Sequence, residues 1–370
     1  MEHSKQKQKK KKDKMPLYIL LGFLLFFIIF IFFITQPSAQ SKAIDQIQVC
    51  LNPNDVKSVF ERYKFDLLET AEDGNKIVSL EFQTAVRNKL NSFNLTDEEI
   101  KTCISWLPPA PTSINLIIIP DLSRRIIDTI NNPKQIENDK FVLHTIWQSF
   151  VGFSKLKQDT KDKLMINVTD IDQAKGQFES IANNLIFDLS SHKGKSNRLY
   201  FTSEKEKQFM NSINKLYNLA KQKPLGADYR FYLRRYLTNH LKTPTLFDNY
   251  INKVVIITDG YLEAKGKPTD TKIYGYEKPL YEAVSNGNIL DIITLNGLNI
   301  PNVDINLSNT EVLVCEVNER KIGKGYDFEI LKTYWEDWFK RMNVKQKITF
   351  IQREQATNVT AIKINEFIIK

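Results

Sequence analysis

Histidine and cysteine are scarce in these 370 residues, four and three respectively. The histidines are scattered without ligand spacing and no Cys-x-x-Cys pair occurs, which argues against a zinc site and a dithiol redox centre. No glycine-rich loop of the phosphate-cradling kind is present, no histidine stands beside a candidate nucleophile, and spacing nominates no Ser/His/Asp set. An enzyme is therefore not expected. The alternative within that class is an envelope hydrolase using Asp121 or Asp259. Basicity is also thinner than the formal charge of +9 suggests. Seven lysines fall in the first fourteen residues against Glu2 and Asp13, so the rest of the chain carries only +4. That argues against a nucleic-acid partner.

One long apolar run is present. Leu17 to Ile34 is eighteen residues without a charge, six of them Phe, and as a helix it spans about 27 Å, enough to cross a bilayer core. The expectation is a basic cytoplasmic tail over 1–14 and a transmembrane helix over 15–35. The lysines hold the amino terminus in the cytoplasm, and everything beyond Gln36 lies on the outer side of the cell membrane. A cleaved secretory signal is the rival. The run exceeds the usual apolar core of a signal, and Gln36-Pro-Ser-Ala-Gln40 is a poor small-x-small cleavage site. The lysines would also attract anionic headgroups, so the membrane itself is an expected partner.

Residues 36–112 read as a helical juxtamembrane module behind a polar linker over 36–44. Val56, Phe60, Tyr63 and Leu67 recur at helical spacing, as do Phe82, Val86 and Leu90. Thr96 and Glu99 have the spacing of a capping box, and Trp106-Leu-Pro-Pro-Ala-Pro111 stops the last helix. The segment Glu72 to Phe82 lies between helical patterns, but its carboxylates do not keep the spacing a calcium loop needs. Cys50 and Cys103 lie before the first core strand, where an oxidising compartment would allow one disulfide between them. Cys315 falls within a strand pattern and is expected to be a buried thiol.

Beyond residue 112, strand and helix patterns alternate, which argues an α/β fold with a mainly parallel open sheet flanked by helices. Ile114 to Ile119 is apolar apart from Asn115, as a strand covered on both faces requires. Lys253 to Ile257 repeats the design. Further strands are expected at Leu164–Val168, Asn197–Thr202, Glu311–Val317 and Lys347–Ile351. Helices are expected at Ile136–Lys157, through Phe209, Ile213 and Leu216, at Tyr229–Leu241, and from Phe328 to Met342. In Tyr229–Tyr236, arginines alternate with aromatics, a pattern read as rings inward under arginine stems. Residues 260–310 are the least regular part and a candidate partner surface.

Both long apolar runs end in acid. The first passes Pro120 into Asp121-Leu-Ser-Arg-Arg125, and the second runs into Thr258-Asp-Gly260. This pairing resembles the von Willebrand factor type A domain with its metal-ion-dependent adhesion site, over roughly residues 113 to 352. The resemblance implies that Asp121, Ser123 and Asp259 hold a Mg²⁺ that captures an acidic group of a protein partner. It is incomplete, because Arg125 takes the third place of the first motif and Ala227 stands where a loop threonine would be. Two readings stay open on the residues. Asp121, Ser123 and Asp259 hold Mg²⁺ with waters, Asp228 standing behind them, as a hard cation prefers. Otherwise Arg125 repels a cation and closes the sheet top in an ion-pair network with the aspartates, or offers its guanidinium to the partner's acid. The function expected from 113–370 is that of an anchored extracytoplasmic binding or scaffolding domain. A structural subunit of a membrane complex, contacting partners through anchor and helical module, is the other possibility.

Overall fold

The computed structural model describes residues 37–369 apart from 71–73, 132, 158–159, 176, 193–198, 226, 265–267, 321–324 and 354–356. The expected anchor and basic tail lie outside the described residues, and among those residues no helix is long and apolar enough to cross a membrane.

The amino-terminal module contains α1 (Ala39–Gln48), α2 (Pro53–Leu67), α3 (Leu80–Asn91) and α4 (Asp97–Cys103). The polar linker is shorter than expected, because the Ser38 hydroxyl accepts from the Ser41 amide and starts α1 within it. Polar composition concealed a cap. Thr96 and Glu99 form the full capping box. Between α2 and α3 the chain forms a small hairpin of β1 (Glu69–Thr70) and β2 (Lys76–Ile77). Phe60 and Trp106 pack with ring centres 4.9 Å apart in a cluster that also holds Phe82 and, from the main domain, Phe247. Arg87 reaches Asp248 at 3.4 Å beside that contact. Cys50, Cys103 and Cys315 are all free thiols, so no disulfide clamps the module, and Cys315 is buried in its strand as expected.

The main sheet has six strands: β3 (Ser113–Pro120), β4 (Lys163–Ile166), β5 (Ile186–Asp188), β6 (Tyr250–Ile257), β7 (Thr310–Val317) and β8 (Ile348–Gln352). Their order is β5-β4-β3-β6-β7-β8, and every pair is parallel except β4 with β5. Counted within the sheet the order is 3-2-1-4-5-6, the doubly wound arrangement whose connections reverse direction between β3 and β6. Alternation along β3 divides the core in two. Leu116 and Ile118 face a cluster with Trp147 and Phe209, whereas Ile117 and Ile119 face one with Trp335 and Trp338. Asn115, the polar interruption, pairs with Asn252 at the same level of β6 and also donates to the His240 carbonyl, both at 2.8 Å.

Helices α5 (Gln135–Leu156) and α6 (Ser203–Gln222) lie on the first face. Helices α7 (Glu277–Asn286), α8 (Ile289–Leu295) and α9 (Asp327–Arg341) lie on the second. The closing helix α10 (Thr357–Ile369) docks against α5 through Ile364, Phe367 and Ile368. Two expectations are corrected. Leu199 and Tyr200 are helical rather than part of a strand, and the edge strand comes from Ile186–Asp188. The 260–310 stretch is also more regular than its glycines and prolines suggest. Tyr261, Ile273, Leu280, Ile293 and Leu298 are buried there, so much of it is core rather than free surface.

Candidate functional site

In doubly wound sheets, ligands sit beyond the carboxyl ends of the strands where the strand order reverses. In this protein that crevice lies past Pro120 and Ile257, and the expected residues Asp121, Ser123, Arg125 and Asp259 are there. The chain turns back on itself at the first corner. Asp121 Oδ1 accepts from the Ser123 amide at 2.9 Å, and Ser123 caps the 3-10 turn Arg124–Ile126. That turn sends Arg125 inward, where its side chain is fully buried.

The Arg125 guanidinium occupies the middle of the crevice. Nη2 donates to Asp139 Oδ2 at 2.8 Å and to the Ile257 carbonyl at 3.0 Å, and Nε lies 3.4 Å from Asp121 Oδ2. Thr258 Oγ1 donates to that same Asp121 oxygen at 3.0 Å. Asp139 is further held by Gln135 Nε2 at 2.6 Å and by the Tyr217 hydroxyl at 2.9 Å. Burial works against the Arg125 charge, but Asp139 and Asp121 together outweigh it and hold its pKa above the ordinary value. Asp259 belongs to a second pair. Its Oδ2 accepts from Arg320 Nε at 3.0 Å, and Arg320 also reaches Glu263 at 2.8 Å while lying over the Tyr261 ring.

Asp228 is placed differently from the Asp121 group. Its carboxylate accepts from the Phe231 amide and caps the helical turn Tyr229–Tyr232. Three further residues of the crevice carry no motif. Asp139 and Arg320 lie far from Asp121 in sequence. The signal available for Asp139 was its place on the buried stripe of α5, three residues after Ile136 and four before Leu143, where a lone carboxylate needs a partner. Glu316 is the third. It sits at a register shift between β7 and β8 with φ +67, is buried, and accepts from Arg353 Nε at 3.1 Å.

A divalent cation does not fit this arrangement. Asp121 and Asp259 are each engaged by a guanidinium, and Arg125 places a fixed positive charge where the ion would share Asp121. Among the described residues no three His, Cys, Asp or Glu side chains converge as a metal would need. What remains is a set of buried carboxylates neutralised by the chain's own arginines, with Ile127 and Ile130 exposed on the loop above. Compared with known proteins, the chain matches no family model and no curated protein.

Glu316 gives this set a pH signature. Burial first, and then the Asp139 charge, push its carboxyl above the usual 4.5, with Arg353 opposing. A carboxyl raised on folding favours the folded state fully below the unfolded pKa, and that contribution is lost as pH rises through the folded value. Glu316→Gln removes the titration while keeping an acceptor for Arg353. In urea melts at pH 7 and pH 5, the variant's stability relative to wild type should therefore fall on acidification. A constant difference at both pH values would refute the raised pKa.

Proposed function

We propose that this is a membrane-anchored, extracytoplasmic binding or scaffolding protein. Its main domain is type A-like, with an internal arginine in place of the metal ion, and it meets a protein partner over the carboxyl end of the sheet. The observation carrying this reading is the Arg125 guanidinium at the reversal point, bonded to Asp139 and to the Ile257 carbonyl and lying against Asp121. With Asp121 against Arg125 and Asp259 paired to Arg320, neither carboxylate has the freedom a hydrolase would require of it, so the reading is non-enzymatic. The mainly parallel six-stranded sheet supports this reading at the level of fold class. Buried Arg125 cannot itself meet a partner's acid, so recognition falls to the rim, where Ile127 and Ile130 are exposed beside Asn131, whose carbonyl accepts from Asn318 after β7.

A second reading has its own observation. Val49, Leu51 and Phe65 are exposed apolar side chains on the helical module, Phe65 at 93 %, which favours a structural subunit docking through that module. Two measurements on the full chain in its membrane test these proposals. Calorimetric titration with Mg²⁺ or Mn²⁺ should give no saturable heat, and saturable binding would sink the arginine-for-metal reading. A photo-crosslinking residue at Ile130 should capture a protein when the same residue at Phe65 does not. Capture from Phe65 alone would replace the first reading with the second. Carbonate-resistant membrane association with the main domain open to external protease is the expected topology.

A further inference from the structure

The carboxylates of the reversal point are already engaged, whereas a cavity one strand away has polar groups that are not. It has a volume of about 350 Å³, within the range of pockets that take small ligands. It opens past the carboxyl end of β4 at Asn167 and Thr169, and Phe178, Tyr232, Tyr236 and His240 also line it. Those last three stand four residues apart. In an ordinary α-helix each step of four overshoots a full turn by about 40°, so such a series drifts around the helix. Here Leu233–Leu237 is a π-helical turn, whose wider winding reduces that drift and keeps all three on one wall.

The polar groups of this wall are poised rather than spent. Asn167 Nδ2 donates to the Tyr232 oxygen at 2.7 Å, which leaves the Tyr232 hydroxyl proton free to be donated. Among the described residues the Thr169 hydroxyl, the Tyr236 hydroxyl and the His240 ring nitrogens have no hydrogen-bond partner. Burial, with help from Lys163, pulls His240 below its ordinary 6.5, so it is neutral at pH 7. The charged residues lining the cavity, Lys175 and Glu179, are both exposed. An interior of aromatic faces and uncharged hydrogen-bonding groups disfavours an ion, which would be buried without a counter-charge. It suits a flat ring with one polar edge.

We propose that this cavity is a binding site for a planar aromatic ring with a hydrogen-bonding edge, a phenol of the tyrosine type, held between Phe178 and the Tyr232–Tyr236–His240 wall. The site lies one strand from the Arg125 crevice and shares no lining residue with it, so the proposal does not depend on the reading given to that crevice. The probe is N-acetyl-tyrosinamide, with N-acetyl-phenylalaninamide and methyl glucoside for comparison. Binding is followed by saturation-transfer NMR on the full chain in nanodiscs. The tyrosine probe should bind with a Kd of about a millimolar, as a fragment of that size allows, and at least about fivefold more tightly than the phenylalanine probe, which lacks the polar edge. Ala182→Trp fills the cavity from a half-exposed position and should abolish binding while leaving the melting temperature in place. Tyr236→Phe and His240→Gln, which keep the wall, should each weaken the tyrosine probe and leave the phenylalanine probe unchanged. Equal binding of the two amides, preference for the glucoside, no binding of the tyrosine probe at its solubility limit, or binding indifferent to all three variants would each overturn the proposal.

Discussion

Replacing Arg125 by methionine should lower the stability of the protein by about 3–5 kcal/mol, the usual consequence of removing one partner from a buried ion pair. Methionine fills much of the arginine's volume, so cavity formation contributes little and the loss is electrostatic. Asp139 would remain buried with only Gln135 and Tyr217 as donors, and Asp121 with Thr258 and the Ser123 amide. The Ile257 carbonyl would lose its guanidinium donor at 3.0 Å and keep only the Asp121 amide at 2.9 Å. Urea denaturation reads the effect as a lowered midpoint at an unchanged slope. The double variant Arg125→Met with Asp139→Leu should recover most of the loss, because an apolar replacement of a buried pair is often close to neutral. A loss below about 1 kcal/mol for the single variant, or a double variant worse than the sum of its parts, would show that Arg125 does not carry the crevice.

Much of the fold could be read from the chain because its central strands are long, β-branched and covered on both faces. Ile114–Ile119 and Lys253–Ile257 leave little alternative. The edge is obscure in the sequence for the opposite reason. Ile186–Asp188 is three residues long and pairs on one side only, so its pattern was weaker than that of Asn197–Thr202, whose Leu199 is exposed and helical. Helices α7 and α8 went unread because Gly287 between them, in the left-handed conformation of a helix stop, looked like loop composition. At the site, local motifs located Asp121, Arg125 and Asp259, since each lies within a few residues of a strand end. Their partners were not legible in the same way. Asp139 comes from a helix fourteen residues on, and Arg320 from the loop after a different strand. Sequence proximity defined one side of each ion pair, and only the sheet order brought in the other. The aromatic-arginine helix follows its pattern in part, with Phe231 and Tyr236 only half-buried. Tyr229 and Tyr232 are buried and Arg234 and Arg235 exposed, although nothing in that pattern announced the π-helical turn.

Gly260 to alanine should destabilise the protein by about 2–6 kcal/mol, from two sources that add because both act on one atom. Gly260 has φ +97, a conformation that costs about 1–3 kcal/mol for a residue with a side chain. An added Cβ would also lie 3.0 Å from Val317 Cγ1 and 3.1 Å from Leu331 Cδ1, crowding of the kind that costs about 1–3 kcal/mol in a packed core. Relief by movement is restricted. Trp335 Nε1 donates to the Gly260 carbonyl at 2.9 Å, and the preceding two residues are held by Asp121 and Arg320. Any shift that frees the Cβ therefore pulls on the ion pairs of the crevice. Gly152 is the internal control. It lies within α5 with nothing inside 4 Å of an added Cβ, so Gly152→Ala should stabilise by about 0.5–1 kcal/mol through helix propensity. Opposite signs in parallel urea melts are the expected result, and a neutral Gly260→Ala would mean that the Thr258–Gly260 corner yields. In that event Asp259 would no longer be fixed by its backbone, and the pairing with Arg320 would have to be strong enough to hold the carboxylate through the movement.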